Sequence, residues 1–174
     1  YFIKSDRSDE HCFTLYYTYG DKDLPVIHGI NFNADRDLLV EPSAYQDTIN
    51  YWLRDTALVN SDTLLMSVQH NVCDTAGVLR TQIDTLQVLA KLPYARRMKL
   101  QAENQKKWEK EQRKRRERGE AYETIMPDLL LEPDYDIAPQ LDPDKNLSFI
   151  MPTPLAVADT SKIHLYQRID TLWY

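Results

Sequence analysis

The chain has 174 residues, enough for one domain or for one domain and part of another. Hydrophobic residues at 43% and charged residues at 28% argue against wholesale disorder, and the sequence contains no apolar run of about 18 residues to cross a membrane as a helix. The net charge is −6, with two cysteines and four glycines. That is too little sulfur for a disulfide framework or metal knuckle and little glycine for a phosphate-cradling fold.

The opening is Tyr1 rather than Met, with no basic-then-apolar leader, which gives the expectation of a piece of a longer protein. Residues 1–90 then alternate with period two. Phe13, Leu15, Tyr17 and Tyr19 share one face of a predicted strand, and Thr14, Tyr16 and Thr18 share the other. Gly20 and Asp21 mark a turn before a strand over Val26 to Phe32. Ile49, Tyr51 and Leu53 alternate with Thr48, Asn50 and Trp52, and Leu64, Met66 and Val68 with Leu65, Ser67 and Gln69. A turn at Cys73 to Gly77 precedes a strand with Leu86, Val88 and Ala90 on one face. Short strands at roughly ten-residue spacing predict an antiparallel sandwich. No helical period is read before residue 91.

Residues 92–118 change character. Leu92, Ala95, Met98 and Ala102 form an apolar stripe of about three turns, so the helix is expected to dock by its first half and to be solvated in its second. From Lys91 to Arg118 there are twelve Lys and Arg against four Glu, a local +8. The remainder holds nine basic and twenty-three acidic residues, −14. Glu103–Lys107, Glu109–Arg113 and Glu111–Arg115 are i,i+4 pairs, nearly cancelled by like-charge pairs such as Lys110–Lys114. Gly119 suits the helix end. Lys106, Lys107, Trp108, Lys110, Arg113, Lys114, Arg115 and Arg116 make the candidate interaction patch. It could neutralise phosphates, but interleaved Glu and the acidic remainder make nucleic acid the less favoured partner. Docking on the domain's own acidic surface would reconcile the two charges.

Residues 120–144 read as an acidic linker punctuated by Pro127, Pro133, Pro139 and Pro143, a density that resists helix and central strand. Strand-like composition returns at Lys145.

Asp-Thr before an apolar residue recurs at Asp47-Thr48-Ile49, Asp62-Thr63-Leu64, Asp84-Thr85-Leu86 and Asp170-Thr171-Leu172, with a looser copy at Asp55-Thr56-Ala57. Asp satisfies loop backbone at a strand entrance and Thr suits the pleat. That reading is preferred to a carboxylate cation site, which needs convergence that spacing does not supply. Residues 46–91, with Tyr51-Trp52-Leu53, Asp62-Thr63-Leu64 and Ile83-Asp84-Thr85-Leu86, resemble the middle region of the Ig-like-domain (SbsA-type) envelope lipoproteins of Bacteroidota. The likeness extends over about 10–91 and 144–174. Gln82-Ile83 depart from the more polar residues usual there. The resemblance implies a mainly β fold: an Ig-like β-sandwich domain at 1–91, a charged helical insertion at 92–119, the linker at 120–144, and the truncated start of a second Ig-like domain at 145–174. That second domain would open near Asn146-Leu147-Ser148-Phe149. The resemblance also implies a cell-envelope location, a protein or envelope partner, membrane attachment only through a lipid anchor outside this segment, and no transferable enzymatic activity.

Searched-for chemistry is sparse. His11, His28, His70 and His164 stand singly, without zinc spacing, and are read as surface or strand residues. His70 with Cys73 is a weak metal spacing. Asp142-Pro143-Asp144-Lys145-Asn146 begins like a calcium loop, but Leu147 replaces the required Gly and Thr153 the bidentate Glu. No nucleophile elbow, P-loop or dinucleotide fingerprint occurs, so no enzyme, cofactor or metal is expected. Cys12 and Cys73 are expected as thiols, with a disulfide as the alternative in an oxidising compartment. Tyr16, Tyr17, Tyr19 and Trp52 are read as cross-strand packing in preference to a sugar platform.

Overall fold

A computed structural model describes residues 1–127, 131–135, 146, 148–155, 157–164, 166, 168–169 and 172–173. The chain divides into two compact units, Tyr1–Tyr122 and Glu123–Tyr174.

The first unit carries two antiparallel sheets. Its strands are β1 (Phe2–Asp6), β2 (Cys12–Tyr17), β3 (Val26–Gly29), β4 (Leu38–Pro42), β5 (Thr48–Leu53), β6 (Thr63–Cys73) and β7 (Leu79–Leu89). One sheet has the order β1-β2-β5-β4 and the other β3-β6-β7. Residue alternation explains which strands are central. In β2, β5 and β6 alternate side chains are buried, whereas β1 and β4 lie mostly in solvent and β7 buries only Val88.

One cluster draws on both sheets. Phe13, Leu15 and Tyr17 of β2 and Ile49, Tyr51 and Leu53 of β5 join Leu64, Met66 and Val68 of β6 and Val88 of β7. Phe13 and Tyr51 face each other in register and stack with ring centroids 5.0 Å apart and planes 10° apart, a cross-strand aromatic pair. On the opposite face, Thr14 donates to its partner Asn50 at 2.8 Å, and the Trp52 indole donates to Glu41 at 2.7 Å.

Two short helices carry the chain between sheets. Helix α1 (Ala34–Asp37) leads from β3 to β4, and α2 (Thr56–Val59) from β5 to β6. Asn33 caps α1 by accepting from the Arg36 amide, and Asp55 caps α2 by accepting from the Ala57 amide. Both overturn the expectation of no helix before residue 91: four residues are too few to print a period. The β6–β7 turn is closed by Asp74, whose Oδ1 accepts from the amides of Ala76 and Val78, with Gly77 at φ 79°, where a side chain would be strained.

Helix α3 (Tyr94–Glu117) follows. Gly119 ends it at φ 72°. Its amide bonds to Arg116 and that of Glu120 to Arg115, the two hydrogen bonds of a Schellman end. The predicted strands at Val26–Phe32 and beyond Tyr17 are shorter than expected, stopping at Gly29 and before Tyr19, which is exposed.

In the second unit β8 (Asp134–Tyr135) pairs with β9 (Phe149–Ile150), and β10 (Arg168–Ile169) with β11 (Leu172–Trp173). The linker read at 120–144 thus contributes a strand. Its Pro139 and Pro143, the calcium-like Asp142 to Lys145, Leu147, and Asp170-Thr171 of the last Asp-Thr copy lie outside the described residues.

Met66 is fully buried between the sheets. Met66→Ala is expected to cost about 2–5 kcal/mol in urea unfolding, whereas Thr85→Ala on the exposed face of β7 should stay within about 0.5 kcal/mol. A Met66→Ala loss below about 1 kcal/mol would contradict this core.

Candidate functional site

The eight patch residues all lie on α3. Lys106, Lys107, Lys110, Arg113, Lys114, Arg115 and Arg116 are exposed and Trp108 is half-buried, as is Gln105, while Gln112 is buried. Arg115 pairs with Glu111 at 2.8 Å, the one expected i,i+4 ion pair that is present among the described residues. Such an exposed pair contributes a few tenths of a kcal/mol. The Arg116 guanidinium lies 5.8 Å from the ring centroid of Tyr122. Arg113 to Arg116 therefore remain solvent-facing, and the expected docking of this segment on acidic surface is not what holds α3.

Nor does the apolar stripe hold it. Ala95, Met98 and Ala102 are exposed, with Met98 at 38%, and only Leu92 is half-covered. Among the described residues, the attachment to the β strands and their loops is polar and sits at the first turn. Asp62, in the loop entering β6, accepts from the Tyr94 amide at 2.6 Å, supplying from a distant loop the cap that Pro93 lacks. Arg97 bonds Glu10 through Nη1 and the Val59 carbonyl through Nη2, each at 2.7 Å. Beside it, Arg7 donates to the carbonyls of Ser61 at 2.7 Å and Leu58 at 2.9 Å, at and just past the C-terminal end of α2. Burial lowers the Arg7 pKa, as does the neighbouring Arg97 charge, and Asp62 opposes them.

The Asp-Thr copies have several roles. Thr48 and Thr63 open β5 and β6, so Asp47 and Asp62 stand at strand entrances, but their carboxylates bond elsewhere: Asp47 accepts from the Ser43 hydroxyl at 2.9 Å and Asp62 from the Tyr94 amide. Asp55 caps α2 instead. Asp84 lies inside β7, and its Oδ2 is 2.8 Å from Nε2 of His70. His70 continues the inward phase of Leu64, Met66 and Val68 and is 7% exposed. His11, His28 and His164 are exposed. His70 packs against the Tyr17 ring, with centroids 5.6 Å apart. The hydroxyls of Tyr17 and Tyr51 and the His70 Nδ1 are buried without a protein partner. Burial first, then the Asp84 charge, raises the Tyr17 pKa.

Cys12 is buried on β2 and Cys73 exposed at the end of β6, both as free thiols. The disulfide alternative is not formed. Burial, reinforced by Asp9, pushes the Cys12 thiol up to about 11. Tyr17 is in the core and Tyr19 lies beyond the strand, so the four aromatics do not share one platform. Among the described residues, no group of three or more His, Cys, Asp or Glu is placed to hold a metal ion.

The arrangement offers multivalent cation contact on α3 and, at its base, buried guanidinium donors. No protein-family model, curated protein or solved structure matches the chain.

The Asp84 carboxyl is held below its ordinary value, first by hydrogen bonding to His70 and then by Gln82. A carboxylate depressed in the fold adds stability above its unfolded pKa near 3.9, and that stability fades as pH falls through the lower folded value. Asp84→Asn should therefore lose less stability than the parent below about pH 4, read as denaturant midpoint against pH. Parallel acid limbs would contradict the pairing.

Proposed function

We propose that the chain is a noncatalytic Ig-like module of a bacterial cell-envelope lipoprotein, serving as a stalk or partner-binding segment. The observation that carries the fold half of this reading is the strand order. Sheets β1-β2-β5-β4 and β3-β6-β7 correspond to the ABED and CFG sheets of a constant-type immunoglobulin sandwich, with a shared apolar cluster between them. The envelope half rests on the resemblance of residues 46–91. The partner-binding half rests on α3, whose candidate patch presents seven exposed basic side chains.

A second reading, binding of nucleic acid or another anionic surface through α3, is supported by the exposure of Arg113, Lys114, Arg115 and Arg116. The acidic remainder weighs against it, because it repels a duplex.

Two measurements separate the readings. In the cell that makes the protein, the chain should fractionate with the envelope, and crosslinking should trap an envelope partner. Replacing Lys106, Lys107, Lys110 and Arg113 to Arg116 with Gln should abolish the crosslink and leave the unfolding midpoint near that of the parent. A cytosolic location, together with oligonucleotide binding whose log affinity falls with log salt by about 0.9 per phosphate neutralised, would replace the first reading with the second.

A further inference from the structure

Two arginines far apart in sequence meet at the base of α3 around a cavity of about 70 Å³, lined also by Ser8, Glu10 and Lys91. Arg7 is 3% exposed and the Arg97 side chain 9%. Guanidiniums are seldom so deeply buried unless they are paired. Glu10 pairs with Arg97. Arg7 gives its Nη1 and Nη2 to the carbonyls of Ser61, Leu58 and Val59, which carry only partial charge. The Nε of Arg7 and the Nε of Arg97 are both buried without a protein partner.

We propose that this cavity binds a free small oxyanion, a carboxylate or a phosphate group, against the two guanidiniums that line it. Guanidinium N–H groups match planar and tetrahedral oxyanions in geometry as well as charge. An anion here would offset the repulsion of two adjacent cations. Size limits the class. The volume holds an acetate- or phosphate-sized group and lies far below the roughly 300–1,000 Å³ of pockets for larger organic ligands. Glu10 occupies one face of Arg97 and competes with the anion, which keeps the site weak. The inference stands on these contacts alone and is independent of the envelope reading.

The test is thermal unfolding of the intact chain in sodium acetate, sodium phosphate and sodium chloride at matched ionic strength. Acetate or phosphate should raise the midpoint saturably, as a ligand bound only to the folded state does, and chloride should not. Arg97→Gln should raise the half-saturating concentration by about tenfold or more, the scale of a charged hydrogen bond. Glu10→Gln should lower it several-fold, a gain that a folding defect does not produce. Acetate acting at lower concentration assigns a carboxylate, and phosphate acting at lower concentration assigns a tetrahedral oxyanion. Equal effects of all three salts, or half-saturation unchanged in both variants, would overturn the site.

Discussion

The structure depends on one constraint: three central strands must each turn a single row of side chains into the same narrow layer. Phe13, Leu15 and Tyr17, Ile49, Tyr51 and Leu53, and Leu64, Met66 and Val68 fill it from two sheets. Because strand side chains alternate, a one-residue slip in any of these strands would export its whole row to solvent. That penalty fixes register. It leaves the edge strands β1, β4 and β7 free to carry polar and exposed residues, and it fixes where the sheet-changing helices α1 and α2 leave the core.

The layer has a polar end. His70, Asp84 and the hydroxyls of Tyr17 and Tyr51 sit where the apolar rows run out, and three of their atoms lack protein partners. Buried polar groups left in this state weaken a core. The base of α3 follows the same pattern, with Asp62, Glu10 and two arginines in place of apolar packing. Attachment through directional contacts sets the angle and position of α3 while leaving its long basic surface in solvent.

Much of the β framework was legible in the sequence. The rows of β2, β5 and β6 could be read directly, because half-buried strands print their burial as alternation. His70 keeps the phase of Leu64, Met66 and Val68, but a histidine standing singly was read only as a surface or strand residue, and its burial came from the fold. The short helices left only their caps, Asn33 and Asp55, as a signal. The docking of α3 was misread because an apolar stripe at helical spacing gives a face but not what covers it. Arg7 and Arg97 were illegible as a pair: ninety residues separate them, and only the folded sheets bring β1 beside the first turn of α3. The basic character of residues 106–116 was plain, but exposure alone does not name what it binds.

The central claim is that a polar joint, and not apolar packing, ties α3 to the β domain. Amide hydrogen exchange on the intact chain tests it most directly. The account predicts that Asp62→Asn combined with Arg97→Gln speeds exchange through the first turns of α3 while β2, β5 and β6 keep their protection, and that Met98→Ala leaves α3 nearly unchanged. Unaltered exchange in the double variant, with fast exchange along α3 after Met98→Ala, would contradict it.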